Sequence, residues 1–280
     1  MANSRKLNVF ARFALATSYI TIIPLGSLVK VSSEPSSTTL DEDILSGLAK
    51  YLPAVGLLLG ALLAIAAASL NLAPGLEQNA LLKGVIITTL WLVITGGLHF
   101  DGLMDTADGI FSHRDRGRML EIMQDPRAGN FAVITGVAVF AMKAVALASL
   151  FRHSGVHATV LPTALLLIPA WARFAEAYAI GRYPYAKPEG KGRVWHETMK
   201  FPGDLGLALI LPLLLTAATG IFISETAFYN AITVIFAGFF CAAYLNSRLG
   251  GHTGDTYGTV VEVSETISLI ALALLPTTLG

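Results

Sequence analysis

The chain is short of cysteine and of charge. Cys241 is the only cysteine among 280 residues, so no internal disulfide can form, and its apolar surroundings suit packing better than chemistry. Charged residues make up only 14% of the composition, and the 19 basic and 19 acidic side chains cancel. A neutral chain has no bulk field with which to recruit nucleic acid, so any electrostatic function must lie in how the charges are placed. No convincing internal repeat is visible, which weighs against a transporter built from inverted halves. What the sequence does have is apolar residues: they account for 54% of the chain, and the mean hydropathy is +0.64. Those values belong to an integral membrane protein.

Apolar stretches recur at 52–70, 81–97, 130–151, 159–180, 204–223, 228–246 and 260–279, each close to the roughly 20 residues that cross a bilayer. The expected fold is all-α: a polytopic transmembrane helical bundle of about seven spans, forming one catalytic domain over residues 1–280. Near the N-terminus, Arg5, Lys6 and Arg12 surround a modest apolar run ending at Pro24. Arg12 interrupts that run and no clear cleavage site follows, so the reading is a first membrane or interfacial helix, not a removable signal. Residues 26–50, rich in Ser, Thr and acids, read as a polar loop.

Alternating crossings place 98–129, 181–203 and 247–259 on one side of the membrane. That side carries ten Lys and Arg residues, whereas the loops opposite carry Arg152 alone. The basic side is therefore expected to face the cytoplasm, in a cell (inner) membrane. The three polar loops meet there, within reach of soluble substrates.

The most informative string is HFDGLMDTADG, His99 to Gly109. In a helix its Asp101, Asp105 and Asp108 fall within roughly 60° of one another. Like charges so placed repel, and burying them in lipid is costly, so they are expected to face a cavity and share a divalent cation. Carboxylates with no cysteine nearby favour Mg2+ or Mn2+ over zinc. A second acid site lies in GGHTGDTYG, where Asp255 opens the last apolar run and shares a helical face with Glu262. The plainer reading of that string is a helix N-terminus capped by Thr253 or Asp255.

Arg127, Lys187 and Arg248 sit on the same loops and suit phosphate oxygens, although each alone also serves as a topology anchor. Within the spans, Arg173 and Glu176 are three residues apart and are expected to pair, while Lys143 has no local partner. Arg173 and His99 are also candidate substrate contacts. His99 could be a base or ligand, but about 160° from Asp101 on an ideal helix it suits a bystander equally. Acids for magnesium, cations for phosphate and a membrane cavity together describe phosphoryl transfer. The submotif from Asp105 to Gly109 resembles the opening of the CDP-alcohol phosphotransferase signature, but the Ala-Arg expected after it is absent.

The strings ARFALATSYITIIPLG, GGLHFDGLMDTADGIF, RGRMLEIMQDPRAGNF, AYAIGRYPYAKPEGKG and RLGGHTGDTYGTVVEVSE, in this order, resemble the adenosylcobinamide-GDP ribazoletransferase family, also called cobalamin (5′-phosphate) synthase. The resemblance implies an Mg2+-dependent enzyme that joins adenosylcobinamide-GDP to α-ribazole or its 5′-phosphate and releases GMP. It implies metal binding by Asp101, Asp105, Asp108 and Asp255, with Asp105, Asp108 and Asp255 catalytic and Asp255 favoured as the base. The partners implied are these small molecules and membrane lipid, with no nucleic acid, and a homo-oligomer is compatible with the sequence. Where the family has PYAR, this chain has Pro184-Tyr185-Ala186-Lys187, which keeps the charge but loses the planar fork. A membrane CDP-alcohol or prenyl-type Mg-dependent transferase is the alternative.

Overall fold

The computed structural model describes residues 7–29, 46–76, 78–152 and 159–275. Arg5, Lys6, most of the 26–50 loop and the last residues of the 260–279 run lie outside these. Among the described residues the fold is helical with no strand. The helices are α1 (Val9–Ile20), α2 (Leu52–Leu72), α3 (Ala80–Ile94), α4 (Leu98–Phe111), α5 (Arg116–Ile122), α6 (Asn130–Arg152), α7 (Val160–Arg182), α8 (Lys191–Thr198), α9 (Gly203–Phe222), α10 (Thr226–Leu249) and α11 (Gly254–Ala273).

Among the described residues, five segments are long and apolar enough to cross a membrane: Ala49–Leu72, α6, α7, α9 and α10. The consecutive helices α3 and α4 together would make a sixth, bent by 92° at the break. Each of the seven expected apolar runs coincides with a helix over its described residues, and two of them add detail. The run beginning at 81 breaks after Ile94 because Gly96 and Gly97 take φ of 60° and 72°, a left-handed conformation that is nearly free only for glycine. The chain therefore turns and starts a new helix with the acid string on it. The last run starts earlier than its apolar character suggested, at Gly254, and α11 has too many hydroxyls and acids to count as a lipid-facing span. At 12 residues, α1 is too short to cross.

The helix α7 forms the axis of the bundle. Some 89% of its span is buried within the protein, against 22% for α9. Alanines at 164, 170, 172, 175, 177 and 179 leave room for neighbours on every side, as small residues do wherever membrane helices approach closely. It packs against α2, α10, α11 and α9, while α4 lies between α6 and α11.

Charge runs through this core. Lys143 of α6 reaches Glu262 and Glu265 of α11 at 2.6 Å each and sits 4.7 Å over the Trp91 ring. Arg173 of α7 pairs with Glu265 and approaches His99 Nδ1 at 3.3 Å. The expected Arg173–Glu176 pair is thus corrected. Spacing along one helix allowed it, but the guanidinium turns to a carboxylate on another helix, and Lys143 finds its partners more than 100 residues away. Two cations and two carboxylates balance, which is the condition for burying them in an apolar bundle.

Candidate active site

The helices α4 and α11 touch backbone to backbone. A Cβ at Gly102 would lie 2.6 Å from the Asp255 carbonyl oxygen, and one at Gly258 would lie 2.8 Å from the His99 backbone. The two contacts are reciprocal: each acid-bearing string supplies the glycine that admits the other. Thr259 strengthens the crossing by donating to the Gly102 carbonyl at 3.2 Å. This approach brings Asp255 to the mouth of the cavity beside Asp101.

The loop after α7 docks on the same place. Tyr185 and His252 form an isolated β-bridge, in which Ala186 N–H donates to the His252 carbonyl at 2.7 Å and His252 N–H donates to Pro184 at 2.8 Å. That bridge delivers Lys187 to Asp255, Nζ to Oδ2 at 3.5 Å. His252 is fully buried: Nε2 lies 3.1 Å from the Ala242 carbonyl and Nδ1 lies 3.0 Å from the Thr256 hydroxyl. Burial pushes its pKa down to about 4, so the ring stays neutral. Thr253 caps α11 by accepting from Thr256 N–H. The plainer reading of this string as a capped helix start is therefore true of Thr253, and it leaves Asp255 to face Lys187.

The acids differ in what they touch. Asp101, Asp108 and Asp255 all lie close enough to Asp105 to repel its charge, with Lys187 the nearby cation that opposes them. Asp108 accepts from Gly129 N–H at 2.6 Å and Ala132 N–H at 2.8 Å, which caps α6. Asp101 is solvent-exposed, while His99, two residues before it on α4, is only 2% exposed. Among the described residues, no three His, Cys, Asp or Glu side chains stand close enough together to hold a metal ion. The Asp108 oxygens point at backbone amides, and one Asp255 oxygen is shared between Lys187 and the Thr253 hydroxyl.

These elements enclose a cavity of about 340 Å3. Asp101, Asp255 and Lys187 border it together with Gln124, Glu189 and Gly254, and Tyr19, His99, Glu176, Tyr185, Trp195 and Tyr257 complete its wall. Of the candidates read from sequence, Asp101, Asp255, Lys187 and His99 line it. Arg173 is fully buried and does not line it, but contacts His99, which does. Arg127 is 88% exposed and forms a fork with Asp125 in its own loop, which holds that carboxyl down to about 2. Arg248 is exposed at the end of α10 and does not line the cavity. Glu176, Tyr19, Trp195 and Tyr257 were not singled out from sequence as cavity residues. An acid buried in a span was the one signal available for Glu176, and the three aromatics look like ordinary core.

Residues 12–273 match the cobalamin-5-phosphate synthase family. The adenosylcobinamide-GDP ribazoletransferase of Thermosynechococcus vestitus is 38% identical over 230 residues, covering 82% of this chain and 87% of that protein. The proteins of the same name from Roseiflexus sp. and Fusobacterium nucleatum are each 31% identical, over 95% of this chain and 90% and 98% of their own lengths. No solved structure matches. The same strings that the fold gathers around one cavity thus lie within the matched region, and the chain belongs to the cobalamin-5-phosphate synthase family.

Proposed function

We propose that this protein is an adenosylcobinamide-GDP ribazoletransferase acting late in cobalamin synthesis, with its reaction centre at the Asp101–Asp255–Lys187 mouth of the cavity. A ribose hydroxyl of α-ribazole, or of its 5′-phosphate, attacks the phosphorus attached to the cobinamide arm. The new P–O bond forms as the bond to GMP breaks, and the hydroxyl proton passes to a carboxylate. Asp255 suits that role because it borders the cavity and is half-exposed beside Lys187. Lys187 offers positive charge to the phosphate oxygens. The observation that carries the reading is the convergence of the Asp101 and Asp255 strings, 154 residues apart in sequence, through paired glycines.

The surplus of carboxylates over Lys187, and their hard oxygen donors, suit Mg2+, which Asp101, Asp105 and Asp255 would hold once drawn together around it, with Asp108 oriented as the α6 cap. When bound, the ion would offset charge developing on the diphosphate. We further propose that the cavity opens to the cytoplasm from the inner membrane, since the basic loops cluster at this end. The membrane CDP-alcohol or prenyl-transferase alternative gives way to the family match.

The test is to supply purified protein with adenosylcobinamide-GDP, α-ribazole and Mg2+ and to follow GMP. Stoichiometric release of GMP with formation of the joined corrinoid is expected. No release with an intact, folded protein would reject the assignment.

A further inference from the structure

The inner end of the cavity has an unusual concentration of unsatisfied polar atoms. His99 Nε2, Glu176 Oε2, Trp195 Nε1 and the Tyr257 hydroxyl have no hydrogen-bond partner. All four residues line the same cavity and are only 2–4% exposed. Buried polar atoms normally find partners, and leaving one without is costly. Four on one wall mark a surface shaped for a ligand.

Their chemistry can be assigned. A guanidinium only donates, so Arg173 Nη2 facing His99 Nδ1 at 3.3 Å makes that nitrogen the acceptor and places the ring proton on Nε2. His99 Nε2 is thereby a donor at the cavity wall, not a base. Its Nε2 stands 3.7 Å from Glu176 Oε1, too far for a hydrogen bond. Trp195 Nε1 can only donate. Glu176 is the acceptor, and it is the acid left over once Lys143 and Arg173 have paired with Glu262 and Glu265. Aromatic rings flank this floor: Tyr19 lies 5.0 Å from Trp195 between centroids, and Tyr185 lies 6.4 Å from Tyr257.

On the reading of the reaction given above, we infer that this floor is a guanine-recognition site for the GMP half of the donor substrate, with Glu176 as its specificity-determining acceptor. Guanine presents two adjacent donors, N1–H and the N2 amine, beside the O6 acceptor. Those donors match a carboxylate, and O6 matches the N–H donors of Trp195 or His99. Adenine would set its N1 lone pair against the carboxylate. The dimethylbenzimidazole of α-ribazole has no N–H donor and would leave Glu176 buried and unmet. The cavity of about 340 Å3 has room for one nucleotide but not for a corrinoid, so the base enters while the corrinoid stays outside. The guanine lies at the floor and the diphosphate at the Asp101–Lys187–Asp255 mouth.

The experiment measures inhibition of transfer by GMP, IMP and AMP, and direct binding of labelled GMP by equilibrium dialysis. GMP should compete with adenosylcobinamide-GDP. IMP, lacking the N2 amine, should bind about tenfold more weakly, and AMP more weakly still. Glu176→Gln should weaken GMP by about tenfold or more and erase its advantage over IMP, with KM for α-ribazole unchanged at saturating donor. Equal inhibition by the three nucleotides would overturn the inference, as would a Glu176→Gln effect confined to KM for α-ribazole. If Glu176→Gln does not fold, the wild-type nucleotide series and Trp195→Phe, which removes one donor and keeps the ring, decide the matter. GMP preference in a protein that catalyses no transfer would reject the proposed reaction and leave the guanine site standing. Transfer without nucleotide preference would do the reverse.

Discussion

Two groups of charges meet around α11, and they are built on opposite principles. The inner one, Lys143 with Glu262 and Glu265 and Arg173 with Glu265, is buried and balanced. The outer one, Asp101, Asp105, Asp108 and Asp255 with Lys187 beside Asp255, is partly open to solvent and carries surplus negative charge. A balanced cluster needs nothing further and holds helices together. A surplus at the mouth of a cavity is a standing demand for positive charge. On the proposed reaction the same residue types serve the scaffold in one place and chemistry in the other, and Glu176 with His99 stands between them.

Substitutions should separate the two. In the outer group, Asp105→Asn or Asp255→Asn should lower kcat by about 10³-fold while thermal unfolding in detergent stays near the wild-type midpoint. A variant that turns over normally would remove that acid from the reaction. In the inner group, Lys143→Met leaves two buried carboxylates short of one cation. It should cost about 3–5 kcal/mol of stability, read as a large fall in the unfolding midpoint. An unchanged midpoint would mean the inner cluster is not structural.

His252 gives a pH signature between these extremes. Its folded-state pKa is depressed by burial to about 4 from the ordinary imidazole value of 6.5, so between those values the unfolded chain binds the extra proton. Stability contributed by this ring is fully present above pH 6.5 and is lost as pH falls toward 4. Unfolding midpoints measured across that window should fall with acid, and His252→Gln should flatten the slope. A slope identical in the variant would assign the effect elsewhere. Asp108→Ala should be milder, removing an α6 cap for about 1 kcal/mol and lowering activity through displaced neighbours. Arg127→Ala should do least. Its fork with Asp125 lies on the surface outside the cavity, and kcat/KM for the nucleotide-linked donor should not move. A raised KM would bring Arg127 into substrate binding.

The sequence made the helices legible wherever one local property decided them. Hydropathy located the long apolar helices to within a few residues, and a spacing of four and three put three acids on one face of α4. The run 81–97 ended within three residues of the helix end at Ile94, but its hydropathy carried no sign of the 92° bend that follows. The α11 N-terminus and its acid were legible from GGHTGDTYG, but its neighbours were not: Lys143 and Glu262 are 119 residues apart, and no spacing rule reaches across helices. Periodicity offers Arg173 only a partner three residues along its own helix, because it cannot supply Glu265 from another helix. Trp195 and Tyr257 were invisible as site residues for the same reason, since an aromatic becomes a cavity wall only when the helix opposite stops short of it.

The account rests on acids from distant strings forming one site, and Mn2+ binding followed by electron paramagnetic resonance tests this most directly. The wild-type protein is expected to bind Mn2+, with that binding lost in Asp105→Asn and equally in Asp255→Asn. Undiminished Mn2+ binding in both variants would contradict it.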